Sequence, residues 1–416
     1  MKSFVTIKEG SATHWAIRLV VAAAIVWLAI RIPTVWEAGT ISTAIDALTL
    51  MAAAMALNLV LGYAGQISIG HSAFLGIGAY TTGIMVSRWG FSPWLTFPVA
   101  FAVSFLLGVI VSFPAARIKG VYLALVTLAL GLVFPQMMTW KKLAWLTGGG
   151  SGLPVSCPAT GVSRTCPGTE VPTTGFNIGP AAKGQMETFE IFGWKPFGNL
   201  QRPDNKAAFY YWIAAIVAVV VYLCCRGVVK SRIGRSLIAI RDNETAAAVM
   251  GVNLVSTKAF IFGISAGLCA LPGCVKAITT GGVSPEGLVS ITVLGAITFL
   301  IVMVIGGAGS LWGPVIGAVL YVFINDKTGT WDKDEKIPGL FRPLLSWAEV
   351  APADGIFALL LILLMFVAPR GLVGMWKQYS PLIVRVVPRP AGAGGAAIAL
   401  ATASADTTTT NEGDTQ

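Results

Sequence analysis

Long apolar runs alternate with short polar connections along almost the whole chain. About ten runs of roughly 15–23 residues recur, and about 20 helical residues are needed to cross the hydrocarbon of a bilayer. They fall at Trp15–Ile32, Ile41–Leu61, Ile67–Val86, Trp94–Phe113, Val121–Trp140, Ala207–Cys225, Lys258–Ile278, Leu288–Ile305, Leu311–Ile324 and Asp354–Val367. The pattern predicts an all-α, polytopic membrane helical bundle of about ten transmembrane segments. The third and ninth runs are rich in glycine and the tenth is short, so each is a candidate for a broken or re-entrant segment. The first run carries Arg18 and is followed by no small-residue cleavage pattern, which argues for a retained helix.

Composition agrees with this reading. Hydrophobic residues make up 55% of the chain and charged residues only 12%, with a mean hydropathy of +0.75. A soluble chain of 416 residues needs more charge than that.

Basic residues set the expected orientation, because Lys and Arg gather in cytoplasmic loops. With the N-terminus inside, Lys2, Lys8, Arg117, Lys119, Arg226, Lys230, Arg232, Arg235, Arg241, Arg370, Lys377, Arg385 and Arg389 all fall on the cytoplasmic side. Both termini are then cytoplasmic, and the protein is expected in the plasma or inner membrane. The net charge of +10 is an orientation signal; no basic face interleaved with exposed aromatics suggests nucleic acid. Residues 1–375 form the expected transmembrane domain, with an extracytoplasmic loop at 141–206 and a cytoplasmic loop at 226–257. Residues 376–416 form a cytoplasmic tail, of low complexity beyond Pro388. Cys157 and Cys166 share the outer loop, where a disulfide is permitted, and are expected to pair. Cys224, Cys225, Cys269 and Cys274 read as small buried hydrophobes.

Several chemistries are missing. No Gly-Lys dipeptide occurs, which excludes a P-loop of the G-x-x-x-x-G-K-[ST] kind. The only histidines are His14 and His71, too far apart for an H-E-x-x-H zinc site, and no metal is expected. No cytoplasmic loop is large enough to be a catalytic domain. The chain therefore reads as a transport subunit rather than an enzyme, binding no cofactor itself and drawing its energy from elsewhere.

Charges inside apolar runs are costly and face a partner or a cavity. Asp46 lies inside the second run without an evident partner and either bridges helices or lines a pathway. Lys258, Lys276 and Glu286 lie near run ends, suited to anchoring or helix-end pairing. Gly309, Gly313 and Gly317 form a double G-x-x-x-G, and Gly263 with Gly267 another, the spacing that lets helices approach closely in lipid.

The most informative polar stretch is Lys230–Gly251, between the sixth and seventh runs. It predicts two short helices. Asp242 or Asn243 can cap the second, Glu244 suits the positive end of its dipole, and Ala246–Met250 favour helix. Gly251 is the expected left-handed stop. A capped cytoplasmic helix between two spans is a knob suited to another protein's groove.

This stretch resembles the coupling loop of ABC importer permeases, whose E-A-A-x-x-x-G pattern reads here as Thr245-Ala246-Ala247-x-x-x-Gly251, with Glu244 just before it. More of the chain is similar to the branched-chain amino-acid permeases, specifically the second of their two paired membrane subunits. The resemblance rests on Gly62–Phe74, Gly120–Thr127, Thr147–Leu153, Ile233–Asn253, Ser284-Pro285-Glu286, Gly306–Gly313 and Pro369-Arg370-Gly371-Leu372, in order over about residues 40–375.

The resemblance implies a permease subunit paired with a homologous membrane subunit. Two cytoplasmic ATPases would dock on the coupling loops, and an external binding protein would deliver the solute. ATP would be used by the partners. Arg235, Arg241, Asp242, Asn243, Glu244, Thr245, Ala246, Ala247 and Gly251 become the candidate coupling residues. The solutes of similar permeases are branched-chain amino acids, urea, amides or aromatic acids. The Gly-rich run at 62–78 would make a poor lipid-facing helix. Its polar residues Gln66, Ser68, His71 and Ser72 join Asp46 and Asn58 as candidates for the translocation path. Two other classes stay open at this point: a stand-alone carrier, for which Asp46 would couple ions, and a membrane scaffold indifferent to the 243–251 helix.

Overall fold

The computed structural model describes residues 5–8, 27, 29–33, 38–115, 121–154, 203–285, 291–331 and 371–387. The chain divides into two compact units, one of Met1–Arg31 with Met375–Gln416 and one of Ile32–Gly374. In the first, Val5–Lys8 pairs in parallel with Val384–Val387.

The second unit is a helical membrane bundle. Its helices are α1 (Ala38–Asn58), α2 (His71–Ser87), α3 (Pro93–Ala115), α4 (Val121–Thr139), α5 (Pro203–Lys230), α6 (Arg232–Asp242), α7 (Glu244–Val249), α8 (Leu254–Thr280), α9 (Val293–Gly306) and α10 (Gly313–Trp331). Among the described residues, four stretches are long and apolar enough to cross a membrane: Gly39–Tyr63, Pro93–Phe113, Asn205–Lys230 and Leu254–Thr280. Shorter apolar helices cover Ala124–Thr139, Leu294–Gly306 and Gly313–Asp326. The tenth expected span, most of the first, Glu286, and the cysteines Cys157 and Cys166 lie outside the described residues.

Helix α8 is central, packing against α1, α2, α3 and α5. Small residues allow this. A Cβ on Gly78 would overlap the Ala270 carbonyl, and one on Gly273 the Leu75 carbonyl. A Cβ on Gly108 would stand 2.6 Å from that of Ala266. Backbones this close gain van der Waals contact that lipid cannot match. The outer faces of α3 and α5 expose Leu106, Ile110, Ile216, Val219 and Leu223, the apolar surface lipid requires.

The third and ninth spans depart from their expected limits for a structural reason. The third begins at His71 rather than Ile67, because α1 passes through a π turn at Leu59–Tyr63 and the chain is irregular until Gly70. Ala64 and Gln66 N–H groups reach the Leu59 and Val60 carbonyls, and Ile69 N–H donates to Thr127 Oγ1 at 3.1 Å. Irregular backbone at this depth persists because protein satisfies it. The ninth begins at Gly313, and Gly309 precedes it in a turn with φ +75°. The three glycines therefore do not form one helical stripe. Gly313 and Gly317 pack α10 on α9, where a Cβ would meet the Gly307 and Val302 carbonyls, while Gly309 serves the turn.

Candidate functional site: a coupling loop and the junction beneath it

Ser231 opens the loop by accepting from Gly234 N–H at 3.3 Å, which caps α6 one residue after α5 ends. Helix α6 buries Gly234, Leu237 and Ile240 and exposes Arg232 and Arg235. Asn243, rather than Asp242, caps α7: its Oδ1 accepts from Ala246 N–H at 3.0 Å. Ala247 faces inward, while Thr245 and Ala246 face out. The chain leaves α7 through Gly251 at φ +85°. Val249 and Met250 stand 81% and 83% exposed at the tip.

Two contacts tie this knob to the bundle. Lys258, near the start of α8 and 7% exposed, bonds Glu244 at 2.7 Å. Arg241 donates from Nη1 to the Gly62 carbonyl at 3.1 Å, and from Nε and Nη2 to Asp242 Oδ1. Below it, Asn58 is fully buried. Its amide donates to the Ser310 carbonyl and its oxygen accepts from Gly309 N–H, both at 2.9 Å. Asn58 thus closes the π turn onto the α9–α10 turn and is committed to that bridge.

Deeper in the bundle, His71 is held by a complete set of donors and acceptors. Ser265 gives its one hydroxyl proton to the Ala56 carbonyl, so it can only accept from His71 Nε2 at 2.8 Å. Nδ1 is then the lone-pair nitrogen, and Ser68 donates to it at 2.7 Å. Edge-on contacts with Phe74 and Phe262 enclose the ring. Both ring nitrogens are therefore engaged by hydroxyl groups of the bundle. Gln66, Ser68, His71 and Ser72 are all buried, so in this conformation none faces an open path.

Residues 39–368 match the family described as the branched-chain amino acid transport system / permease component. The chain belongs to that permease family.

Among relatives, the high-affinity branched-chain amino acid transport system permease protein LivM of Salmonella typhimurium is 29% identical over 270 residues, which cover 64% of this chain and 58% of LivM. LivM of Escherichia coli K12 is 30% identical over 266 residues, with the same two shares. The ribose import permease protein RbsC of Haemophilus influenzae is 32% identical over 124 residues, 29% of this chain and 37% of RbsC. The match thus spans less than two thirds of the length of the LivM proteins. No solved structure matches.

In this permease Asp46 has the partner that the sequence did not reveal: Lys276 of α8 bonds its Oδ1, 230 residues away. Lys258 pairs at a helix end, as its place near a run end suggested, although its partner Glu244 was not legible; Ser265 and Thr127 carried no signal as partners, since nothing in sequence spacing links them to His71 or Ile69. Of the four described cysteines, Cys225, Cys269 and Cys274 are buried, but Cys224 is exposed, contrary to expectation. It borders an apolar cleft of about 480 Å³ between α3, α5 and α8, walled by Phe101, Ile216 and Leu271 among others. On α5, Ala214, Ala218, Val221 and Cys225 turn inward while Ile216, Val220 and Cys224 turn outward, a division that an apolar run cannot disclose.

Proposed function

We propose that this permease is the membrane-spanning subunit of an ABC importer for branched-chain amino acids. It works beside a homologous membrane subunit, two cytoplasmic ATPases and an external binding protein. The observation that carries this reading is the exposed apolar tip of the capped 243–251 helix. Val249 and Met250 stand bare at its tip beside the exposed Ala246 and Ala248, which suits insertion into a partner's groove. Closure of the ATPases would displace the knobs and reorient the helices around a central path, giving alternating access. The match to LivM favours branched-chain amino acids; the ribose permease matches a shorter stretch.

Val249→Asp with Met250→Glu tests the docking. The side chains touch little of their own chain, so the membrane subunits should still assemble while the ATPases no longer co-purify. Retention of ATPases at the wild-type ratio overturns the reading. Uptake of labelled leucine, isoleucine and valine against ribose by the wild-type complex in vesicles decides the solute. Ribose transport without amino-acid transport would favour the sugar alternative.

A further inference from the structure

We propose that Arg241 is the positioning residue that carries displacement of the coupling loop into the end of the bundle beneath it. The proposal rests on the docking of this loop on an ATPase. Arg241 sits in the last turn of α6 and is the point where that loop reaches both interruptions of the membrane helices. Its Nη1 holds the Gly62 carbonyl at 3.1 Å, at the end of the π turn. That carbonyl ends a helix with no further turn to receive it, and the negative end of a helix dipole attracts a guanidinium. Its Cγ lies over Gly65, where a Cβ would come within 2.8 Å. Nη1 also stands 3.5 Å from the place a Cβ on Gly309 would occupy. Gly309 and Ser310 are in turn bound to Asn58.

Asp242 accepts from Nε and Nη2 at 3.2 and 3.1 Å, which fixes the plane of the guanidinium over the turn. Both side chains of this pair are substantially exposed, so it adds little stability. Its value is geometric. The loop's other tether, Lys258 to Glu244, grips the first turns of α8, a continuous helix of 27 residues. A pull on the knob therefore meets regular helix at one tether, with Pro272 fourteen residues further along, and two irregular turns at the other. Displacement is taken up by the compliant element, as hinges take up domain motion.

Lysine cannot replace this arrangement, because a compact ammonium cannot hold the Gly62 carbonyl and Asp242 in one plane. The test uses the whole complex in vesicles with its ATPases and loaded binding protein, comparing Arg241→Lys and Arg241→Gln with the exposed Arg232→Gln as control. The expected result is normal assembly, with uptake per ATP hydrolysed lower by about tenfold, inside the usual range of coupling between sites. A structural role would lower activity and uptake together and leave their ratio unchanged. An unchanged ratio in both Arg241 variants overturns the proposal. Should they fail to assemble, Asp242→Asn decides: the arginine stays but loses its brace, and a wild-type ratio overturns the proposal. ATPases that do not depend on Val249 and Met250 would instead overturn the docking reading, whatever the ratio shows.

Discussion

Removing the Ser265 hydroxyl isolates the energetics of the His71 cluster. In Ser265→Ala the Nε2–H of His71 loses its acceptor in a site where both residues are 0–1% exposed. An unsatisfied buried donor costs about 1–3 kcal/mol. Double-mutant cycles between membrane helices average about 0.6 kcal/mol and reach about 1.7, because the unfolded chain in lipid finds other partners. Here both ring nitrogens are engaged and the neighbouring surface is aromatic, so a coupling energy of about 1.5 kcal/mol is expected. His71→Leu removes donor and acceptor together, so Ser265→Ala should cost less in that background than in the wild type. The assay is a thermal cycle on the detergent-purified complex over wild type, both single variants and the double. At about 2 °C per kcal/mol for a long chain, Ser265→Ala alone should lower the midpoint by about 2–5 °C. Single effects that add within about 0.3 kcal/mol would refute the hydrogen-bond assignment and leave Ser265 as mere packing.

Asp46→Asn should destabilise the permease only modestly, because the Asp46 side chain is half exposed, and Asp46→Asn with Lys276→Met should recover most of that loss; a double variant worse than the single would refute the pairing. Gly313→Leu should cut the yield of folded complex, since even a Cβ there meets the Gly307 carbonyl; normal yield would place that face toward lipid. Gly251→Val meets no neighbouring atom but must hold φ +85°, a strain of about 1–2 kcal/mol, so insertion should survive while substrate-stimulated ATPase activity and uptake are lost; full activity in vesicles would sink it. Cys224, beside an apolar cleft, should label only slowly with a membrane-permeant maleimide but ahead of the buried Cys225, Cys269 and Cys274, as read by peptide mass spectrometry; equal labelling of all four would refute the placement.

The sequence by itself determined the membrane class, the helical bundle and the place of the short capped helices between α5 and α8. Hydrophobic run length and a cap for α7 at Asp242 or Asn243 are local properties, written within about 20 neighbouring residues. It also marked Gly62–Gly78 as unfit for a lipid-facing helix, since glycine and polar residues crowd one short stretch. Tertiary structure alone decided which polar groups meet. Asp46 looked unpaired because Lys276 lies 230 residues away. His71 and Ser265 are 194 residues apart, and Arg241 and Gly62 179 apart. Apolar helices carry almost no periodic signal for which face turns inward, because lipid and bundle interior are equally apolar. The partner of each polar group is therefore set by helix packing. Gly309 shows the same limit: its spacing suits a helical stripe, but Asn58 takes its N–H from another helix and holds it in a turn.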